Sequence, residues 1–149
     1  MFKINKTAKI VEGQVIYRKN EHSFDFEPAI NTDYSLMIGN LYLGFDSESM
    51  LARQIWGYHP STGWINKGLV FPTSFPGGLQ INQEIEVGMT HRLVNIGEWK
   101  TYYDPKTGWI CIGDDKNLQD DISIEFATDS IAVLSFNKLK SIWLKPIFE

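Results

Sequence analysis

His59 and Asp104 are the two residues whose types and positions could support acid–base chemistry. They stand forty-five residues apart, at equivalent positions of two similar stretches of the chain. An imidazole acts as a general base when a carboxylate or a nucleophile lies within hydrogen-bond reach. A fold that brought the two stretches together would therefore create a His–Asp pair. The alternative, which we favour, is that both residues lie at strand ends and bond locally or face water.

Other catalytic and metal-binding patterns do not occur in the sequence. The three histidines, His22, His59 and His91, lie outside any H-x-H, H-E-x-x-H or C-x-x-C motif. Cys111 is the only cysteine and stands in the apolar run W-I-C-I-G, where a buried and unreactive thiol is expected. The acidic residues between 114 and 129 depart from the D-x-D-x-D-G pattern of calcium loops. We therefore predict no catalytic residue, no metal and no cofactor.

Two tryptophans provide the clearest sign of a binding surface. Trp64 and Trp109 occupy equivalent positions in the two similar stretches, next to the turns that His59 and Asp104 precede. Trp and Tyr dominate binding hot spots, and their rings offer a platform to a sugar ring, another flat ligand or a partner protein. The alternative is core packing, because each aromatic ring buries roughly 150–250 Å². The sequence leaves both interpretations open.

The similar stretches are two copies of one pattern. The first copy, residues 58–68, is written Y-H-P-S-T-G-W-I-N-K-G. The second copy, residues 103–113, is written Y-D-P-K-T-G-W-I-C-I-G. Seven of the eleven positions are identical. This duplication is the main organising feature of the chain, and the residues that it repeats are turn formers and aromatic or β-branched side chains.

Turn chemistry predicts that each copy forms a β-hairpin. Pro60 suits the second position of a type I turn, and Gly63 can take the left-handed conformation that closes a four-residue loop. The tips should then lie at residues 60–63 and 105–108. Because side chains alternate along a strand, the Tyr and Ile of each copy are expected in the core and the Trp on the opposite, partly exposed face. The expected cross-strand pairs are Tyr58 with Ile65, Tyr103 with Ile110, His59 with Trp64 and Asp104 with Trp109.

The rest of the chain indicates short strands separated by turns. Residues 79–87 alternate apolar and polar side chains, as a half-exposed strand does. Many short strands with turn signals between them are typical of a sandwich or a barrel. We predict one all-β domain over 1–149, an antiparallel sandwich or barrel of about ten short strands. Its pseudo-repeated halves would cover about 34–78 and 79–123, followed by a C-terminal hairpin at 130–145.

Composition restricts the compartment and the classes of partner. The chain has 149 residues, a net charge of −4 and a hydrophobic fraction of 43%, enough for the core of one domain. The basic residues are scattered, which disfavours nucleic-acid binding. No apolar run approaches the length of roughly 20 residues that a membrane-spanning helix needs. One cysteine excludes an internal disulfide and fits a reducing cytosol. We expect a cytoplasmic protein.

Three functional hypotheses follow from these observations. The first is a non-catalytic interaction protein of the inhibitor or immunity type, whose partner is another protein. The second is a small-ligand-binding β domain with an aromatic-lined cleft. The third is an enzyme that uses His59 and Asp104. In the first two cases we expect Trp64 and Trp109 to line the binding surface, with His59 and Asp104 at its rim. The sequence does not define the oligomeric state.

Overall fold

The computed structural model describes residues 1–84, 86–93 and 99–149. Within them the chain forms sixteen short strands and one turn of 3-10 helix at Ser61–Gly63. The all-β class predicted from the sequence is confirmed. The strands are β1 (Phe2–Asn5), β2 (Gln14–Arg18), β3 (Ser23–Glu27), β4 (Tyr34–Ile38), β5 (Leu41–Phe45), β6 (Ala52–Tyr58), β7 (Ile65–Asn66), β8 (Phe75–Pro76), β9 (Gly78–Ile81), β10 (Thr90–Arg92), β11 (Thr101–Tyr103), β12 (Ile110–Gly113), β13 (Ile122–Ala127), β14 (Ser130–Ser135), β15 (Lys138–Leu144) and β16 (Ile147–Phe148).

These strands form two large sheets and one small one. The first sheet has seven strands in the order β10-β4-β5-β6-β3-β2-β16. The second sheet has seven strands in the order β7-β11-β12-β15-β14-β13-β8. β1 and β9 pair with each other in a two-stranded sheet. The prediction of about ten strands was too low. Several strands have only two or three residues, and so short a segment cannot show the alternation of apolar and polar side chains that identifies a strand in the sequence.

The sheets are mixed, whereas the sequence predicted antiparallel pairing. Inner pairs such as β4 with β5 and β14 with β15 are antiparallel. The parallel pairs are β10 with β4, β7 with β11, β8 with β13 and β16 with β2. In each of these pairs, a strand of two or three residues forms the edge of a sheet. Such strands come from segments that cross between sheets, so no hairpin turn determines their direction.

A single core lies between the two large sheets. In β4, the alternating residues Tyr34, Leu36 and Ile38 are each at most 4% exposed, and they point toward the core. Side chains from both sheets meet there in one cluster, which includes Leu43 of β5 and Ile142 of β15. Burial of apolar surface at about 25 cal/mol per Å² makes this cluster the principal source of stability. The arrangement is that of a sandwich.

The first copy of the repeat does not form a hairpin. β6 ends at Tyr58 and pairs with β5 and β3 in the first sheet. β7 starts at Ile65 and pairs in parallel with β11 of the second sheet. The residues between β6 and β7 therefore carry the chain from one sheet to the other. The predicted Tyr58–Ile65 pair was wrong, and both side chains are exposed, by 51% and 41%.

The second copy forms an antiparallel hairpin. β11 and β12 place Tyr103 opposite Ile110. The Asp104 N–H donates to the Trp109 carbonyl oxygen at 3.0 Å. Gly108 has a φ of +84°, the left-handed conformation that favours glycine, whereas Gly63 lies outside the left-handed region. Ile110 is fully buried. The division of the chain into halves at 34–78 and 79–123 stays a prediction.

The segment that follows the first copy crosses the outer face of the second sheet. We call residues 67–71 the strap. The Lys67 N–H donates to the Tyr103 carbonyl oxygen at 3.0 Å, and the Asn117 side chain donates to the Val70 carbonyl oxygen at 2.7 Å. Beneath the strap is an outer cluster of Cys111, Ile131, Val133 and Trp143, with Leu69 and Trp109 packed against it. This cover explains why five of the six residues of β14 are buried, on both of its faces.

Candidate functional site

A concave surface rich in aromatic rings lies where the chain crosses between the two large sheets. We call it the aromatic cleft. Its volume is about 360 Å³. Small-ligand sites usually measure roughly 300–1,000 Å³, so the cleft has room for a ligand built on one or two rings. The residues that line it are Lys19, Ser61, Trp64, Asn66, Tyr103 and Phe148.

Regular backbone pairing positions three of these side chains. Phe148 lies in β16, which pairs in parallel with β2 through Phe148 opposite Tyr17. Tyr103 lies in β11, which pairs in parallel with β7. In that pairing Asn66 lies opposite Tyr103. Trp64 follows the 3-10 turn, and its N–H donates to the Ser61 carbonyl oxygen at 3.1 Å. The cleft is therefore built on strands of both sheets, which fix the relative positions of its rings.

The rings form a connected aromatic wall. The Trp64 centroid lies 4.9 Å from that of Tyr17 and 6.1 Å from that of Tyr103. The Phe148 centroid lies 5.6 Å from that of Tyr103 and 5.8 Å from that of Tyr17. Behind this wall, Trp64 stacks on the fully buried Phe24 at 6.0 Å and 18°. Edge-to-face and offset contacts of this kind are favourable, and backbone pairing fixes the strands that carry Tyr103 and Phe148, so the wall is preformed.

Polar groups border the aromatic wall on its open side. The Lys19 ammonium lies 5.7 Å from the centroid of Phe148. Ser61 and Asn66 are exposed, with a hydroxyl and an amide available to solvent. The Trp64 indole N–H is buried and has no hydrogen-bond partner among the described residues. Rings for stacking, one cation and two neutral hydrogen-bonding groups together suit a ring-shaped ligand that carries hydroxyl or anionic substituents.

His59 lies behind Trp64, and no carboxylate is among its hydrogen-bond partners in the described part of the chain. Its Nε2 lies 2.7 Å from the Thr101 hydroxyl oxygen, and its carbonyl oxygen accepts a hydrogen bond from the Tyr17 hydroxyl at 2.8 Å. Burial lowers the pKa of His59 to about 4, so the ring is neutral at pH 7. A Thr hydroxyl cannot raise the basicity of an imidazole as a carboxylate does. The ring contacts Trp64, with the two centroids 6.0 Å apart, and is bonded to Thr101.

Asp104 is engaged in the hairpin and the strap. Its carboxylate accepts the Leu69 N–H at 3.0 Å and the Lys106 N–H at 2.9 Å. These backbone donors, Leu69 first, lower the pKa of the carboxyl below its usual 3.8. Asp104 is only 5% exposed. Its oxygens are thus committed to backbone groups, and the structure shows no hydrogen bond between Asp104 and His59.

The four residues of the predicted site lie in two places. Trp64 and His59 are at the aromatic cleft, Trp64 on its surface and His59 behind it. Trp109 and Asp104 lie at the strap: the Trp109 ring centroid is 4.5 Å from that of Phe71, and the Asp104 carboxylate accepts the Leu69 N–H. Both tryptophans are half-buried. The repeat does not bring its tryptophans to one surface, because the two copies belong to different parts of the fold.

Sequence reasoning missed most of the lining of the cleft. Lys19, Ser61, Asn66 and Phe148 carried no signal, and Tyr103 was expected in the core. Phe148 reaches the cleft only through the parallel pairing of β16 with β2, which joins residues about 130 positions apart in the chain. A pairing of that kind leaves no local pattern. The one usable signal was the aromatic pair Tyr102 and Tyr103 at the start of the second copy.

Comparisons with known proteins assign no family to this chain. The sequence matches no protein-family model, and no curated protein resembles it at a significant level. Over the described residues, no group of three or more His, Cys, Asp or Glu side chains could hold a metal ion. In that part of the chain no helix has the length and apolar character needed to cross a membrane.

Proposed function

We propose that the protein is a non-catalytic binding protein whose aromatic cleft receives a small ring-shaped ligand. The observation that carries this proposal is the preformed wall of Trp64, Tyr103 and Phe148, open to solvent and bordered by Lys19. A ring that stacks on this wall is held by dispersion and by the hydrophobic effect. The cation then favours a ligand with a carboxylate or a phosphate on its ring.

The setting of the cleft supports binding without catalysis. Acid–base catalysis needs a group that can donate or accept a proton near the working pH. The titratable groups at the cleft are the Lys19 ammonium, the Tyr103 phenol and, behind Trp64, the His59 imidazole with its lowered pKa. None of these residues pairs with a carboxylate in an ion pair among the described residues. We propose the cytosol as the compartment, supported by the single, buried cysteine.

A thermal-shift series tests the proposal directly. Purified protein is melted with sugar phosphates, nucleosides and aromatic carboxylates, each at millimolar concentration. A ligand that binds only the folded state raises the melting temperature. We expect at least one of these classes to do so. No rise with any of the three classes would contradict the proposal.

Substitutions at the border of the cleft then locate the site. Lys19→Gln and Asn66→Ala remove exposed side chains and should leave the fold intact. Each should raise the Kd of the active ligand by about tenfold, the effect of losing one good hydrogen bond or charge contact. The matched control is Lys106→Gln, which removes an exposed cation from the tip of the second copy. An equal loss of affinity in all three variants would place the ligand elsewhere.

A second function, interaction with another protein, is favoured by the surface around the strap. Val70 is 76% exposed, and Phe71 and Ile65 are 45% and 41% exposed. Contiguous exposed apolar surface is a feature of protein-binding sites, and these three side chains lie within seven residues of one another in the chain. An inhibitor or immunity-type protein would use such a surface. Val70→Asp should abolish capture of a defined partner from cells, whereas Lys19→Gln should not; the opposite result would assign the partner to the cleft.

A further inference from the structure

A second cleft, of different chemistry, lies between the segment after β1 and the start of β6. Its volume is about 740 Å³. We call it the basic cleft, because three of its lining residues are cations and one is an anion. The residues that line it are Lys6, Ala8, Lys9, Ile10, Val11, Glu12, Arg53 and Pro76. Its lining carries a formal charge of +2, three cations less one carboxylate, in a chain whose net charge is −4.

The three cations have no ion-pair partner among the described residues. Elsewhere on the molecule, Arg18, Lys67 and Lys140 are each paired with carboxylates. Lys6, Lys9 and Arg53 take part in no such pair, and Glu12 is not within ion-pair distance of any of them. Eighteen acidic side chains are available to fourteen basic ones. The acidic residues therefore outnumber the basic ones, and these three cations nevertheless lack an ion-pair partner; the Lys6 ammonium lies 5.6 Å from the centroid of the Phe75 ring.

The backbone around the basic cleft is firmly held. The Val11 N–H donates to the Phe126 carbonyl oxygen at 3.0 Å, and the Thr128 N–H donates to the Val11 carbonyl oxygen at 2.9 Å. These bonds fix the segment that carries the two lysines against the second sheet. Arg53 belongs to β6 of the first sheet and is half-buried. The cations thus come from two different parts of the fold. Because both parts are held by backbone hydrogen bonds, the cleft is already formed before a ligand binds.

The basic cleft is distinct from the aromatic cleft. Arg53 is the second residue of β6, whereas β6 ends at Tyr58, beside His59 and the aromatic cleft. At about 3.3 Å per residue, the six steps from Arg53 to His59 cover roughly 20 Å. One small molecule cannot occupy both clefts. A ligand in the basic cleft would therefore bind independently of one in the aromatic cleft.

We propose that the basic cleft binds a small, multiply charged oxyanion, namely a phosphate ester or an oligocarboxylate. An Arg guanidinium offers two parallel N–H donors to a carboxylate or a phosphate, and each Lys adds a mobile point charge. An anion bound there would give an opposite charge to three cations that form no ion pair among the described residues. A nucleic acid is disfavoured as the ligand, since it needs a continuous track of phosphate contacts and the whole chain is acidic.

Calorimetric titration at constant ionic strength tests this site. Inorganic pyrophosphate and citrate represent the two sources of oxyanion, and chloride is the reference salt. We expect pyrophosphate, citrate or both to bind with one-to-one stoichiometry and a millimolar or lower Kd. Preference for one of them identifies the chemistry of the natural ligand. Absence of heat with both would overturn the proposal, as would binding of a single-stranded oligonucleotide without binding of either small anion.

Variants decide whether the anion lies in the basic cleft. Arg53→Gln should weaken binding at least tenfold, and Lys6→Gln with Lys9→Gln, which alters only exposed side chains, should do the same without a risk to folding. The matched control is Lys106→Gln together with Lys138→Gln, which removes two exposed cations elsewhere. Equal weakening in the control would show a general effect of net charge and would overturn the proposal. Unchanged binding in both cleft variants would do so as well.

Discussion

The two copies of the repeat have nearly the same sequence and different structures. Seven of eleven residues agree, including the Pro and Gly that form the turn. In the second copy these residues close a hairpin between β11 and β12. In the first copy they carry the chain from the first sheet to the second. Identical turn residues thus permit a change of direction, but they do not determine which strands pair.

The residues after the shared tryptophan account for the difference. In the second copy, Trp109 is followed by I-C-I-G, and this strand is buried on both faces: Ile110 and Ile112 face the core, and Cys111 belongs to the outer cluster under the strap. In the first copy, Trp64 is followed by I-N-K-G, whose polar residues cannot be buried in the middle of a sheet without loss of hydration. The first copy therefore contributes only the two-residue strand β7 at the end of a sheet.

Truncation of the shared isoleucine should show the largest difference between the copies. Ile110 is fully buried in the core, whereas Ile65 is 41% exposed. Ile110→Ala should lower the free energy of unfolding by about 4 kcal/mol, because it removes buried methyl groups and leaves a cavity. Ile65→Ala should lower it by less than about 1 kcal/mol. Urea denaturation of both variants measures these values, and similar losses would mean that the first copy is also a core element.

Acid should affect the copies in two separate pH ranges. Burial lowers the pKa of His59 from 6.5 to about 4, so in this range the unfolded chain binds a proton that the folded chain excludes. Stability should fall between pH 6.5 and pH 4, by up to about 3 kcal/mol at about 1.4 kcal/mol per unit. Asp104 has a pKa lowered below 3.8, so its contribution is present above pH 3.8 and is lost as the pH falls further.

His59→Asn isolates the first of these ranges. The variant should lose most of the decline in stability between pH 6.5 and pH 4 while keeping the loss below pH 3.8. His91→Asn, which removes an exposed histidine, is the control and should keep the whole profile. Urea denaturation at intervals of half a pH unit gives the profile. A His59→Asn curve that follows the wild-type curve would show that the ring titrates in the folded protein as it does in the unfolded one.

Asp104→Ala should have a smaller effect, confined to the second copy and the strap. It leaves the Leu69 and Lys106 N–H groups without their acceptor. Loss of these bonds should cost about 2 kcal/mol of stability. Hydrogen exchange should accelerate at Leu69, because the strap loses its attachment to the hairpin. Asp115→Ala, which removes only the ion pair with Lys67, provides the comparison and should cost less than about 1 kcal/mol.

The shared glycine should give the smallest difference. Gly108 has a φ of +84°, and no atom lies closer than 3.8 Å to the position of an added Cβ. Gly108→Ala should therefore cost about 1 kcal/mol through backbone strain alone. Gly63 is not left-handed and has open space around it, so Gly63→Ala should be neutral or slightly stabilising. Thermal melts resolve the two effects, and equal losses would contradict the assigned backbone conformations.

The parts of the fold that sequence reasoning predicted are those that local patterns determine. The all-β class follows from alternation and from turn residues, and β14 shows that a continuous apolar run can be a strand buried on both faces. The parallel strands β7, β8, β10 and β16 could not be predicted in this way. Each has two or three residues and a partner far away in the chain. Their position depends on how the whole chain packs.

The binding site proposed from the sequence stays a prediction, and its four residues show how far local patterns reach. Trp64 was chosen because it repeats, and it does line a cleft. Trp109 was chosen on the same ground, and it packs instead on the outer cluster under the strap. Trp64 and Trp109 occupy equivalent positions in the sequence, but they do not occupy equivalent positions in the fold. Burial depends on the neighbours that each copy meets, and for Trp64 these include Phe24 and Tyr17 of the first sheet.

The single cysteine under the strap can report when the outer cluster opens. Cys111 lies beneath it with no exposed surface, and burial raises the pKa of the thiol to about 12. Thiol reagents attack only an accessible thiolate. Because the chain has one cysteine, the rate of its alkylation would measure how often the outer cluster opens, in the unmodified molecule and without any added label. A partner bound to the strap would slow the opening of the outer cluster. The alkylation rate of Cys111 would then fall, and this fall would detect the binding.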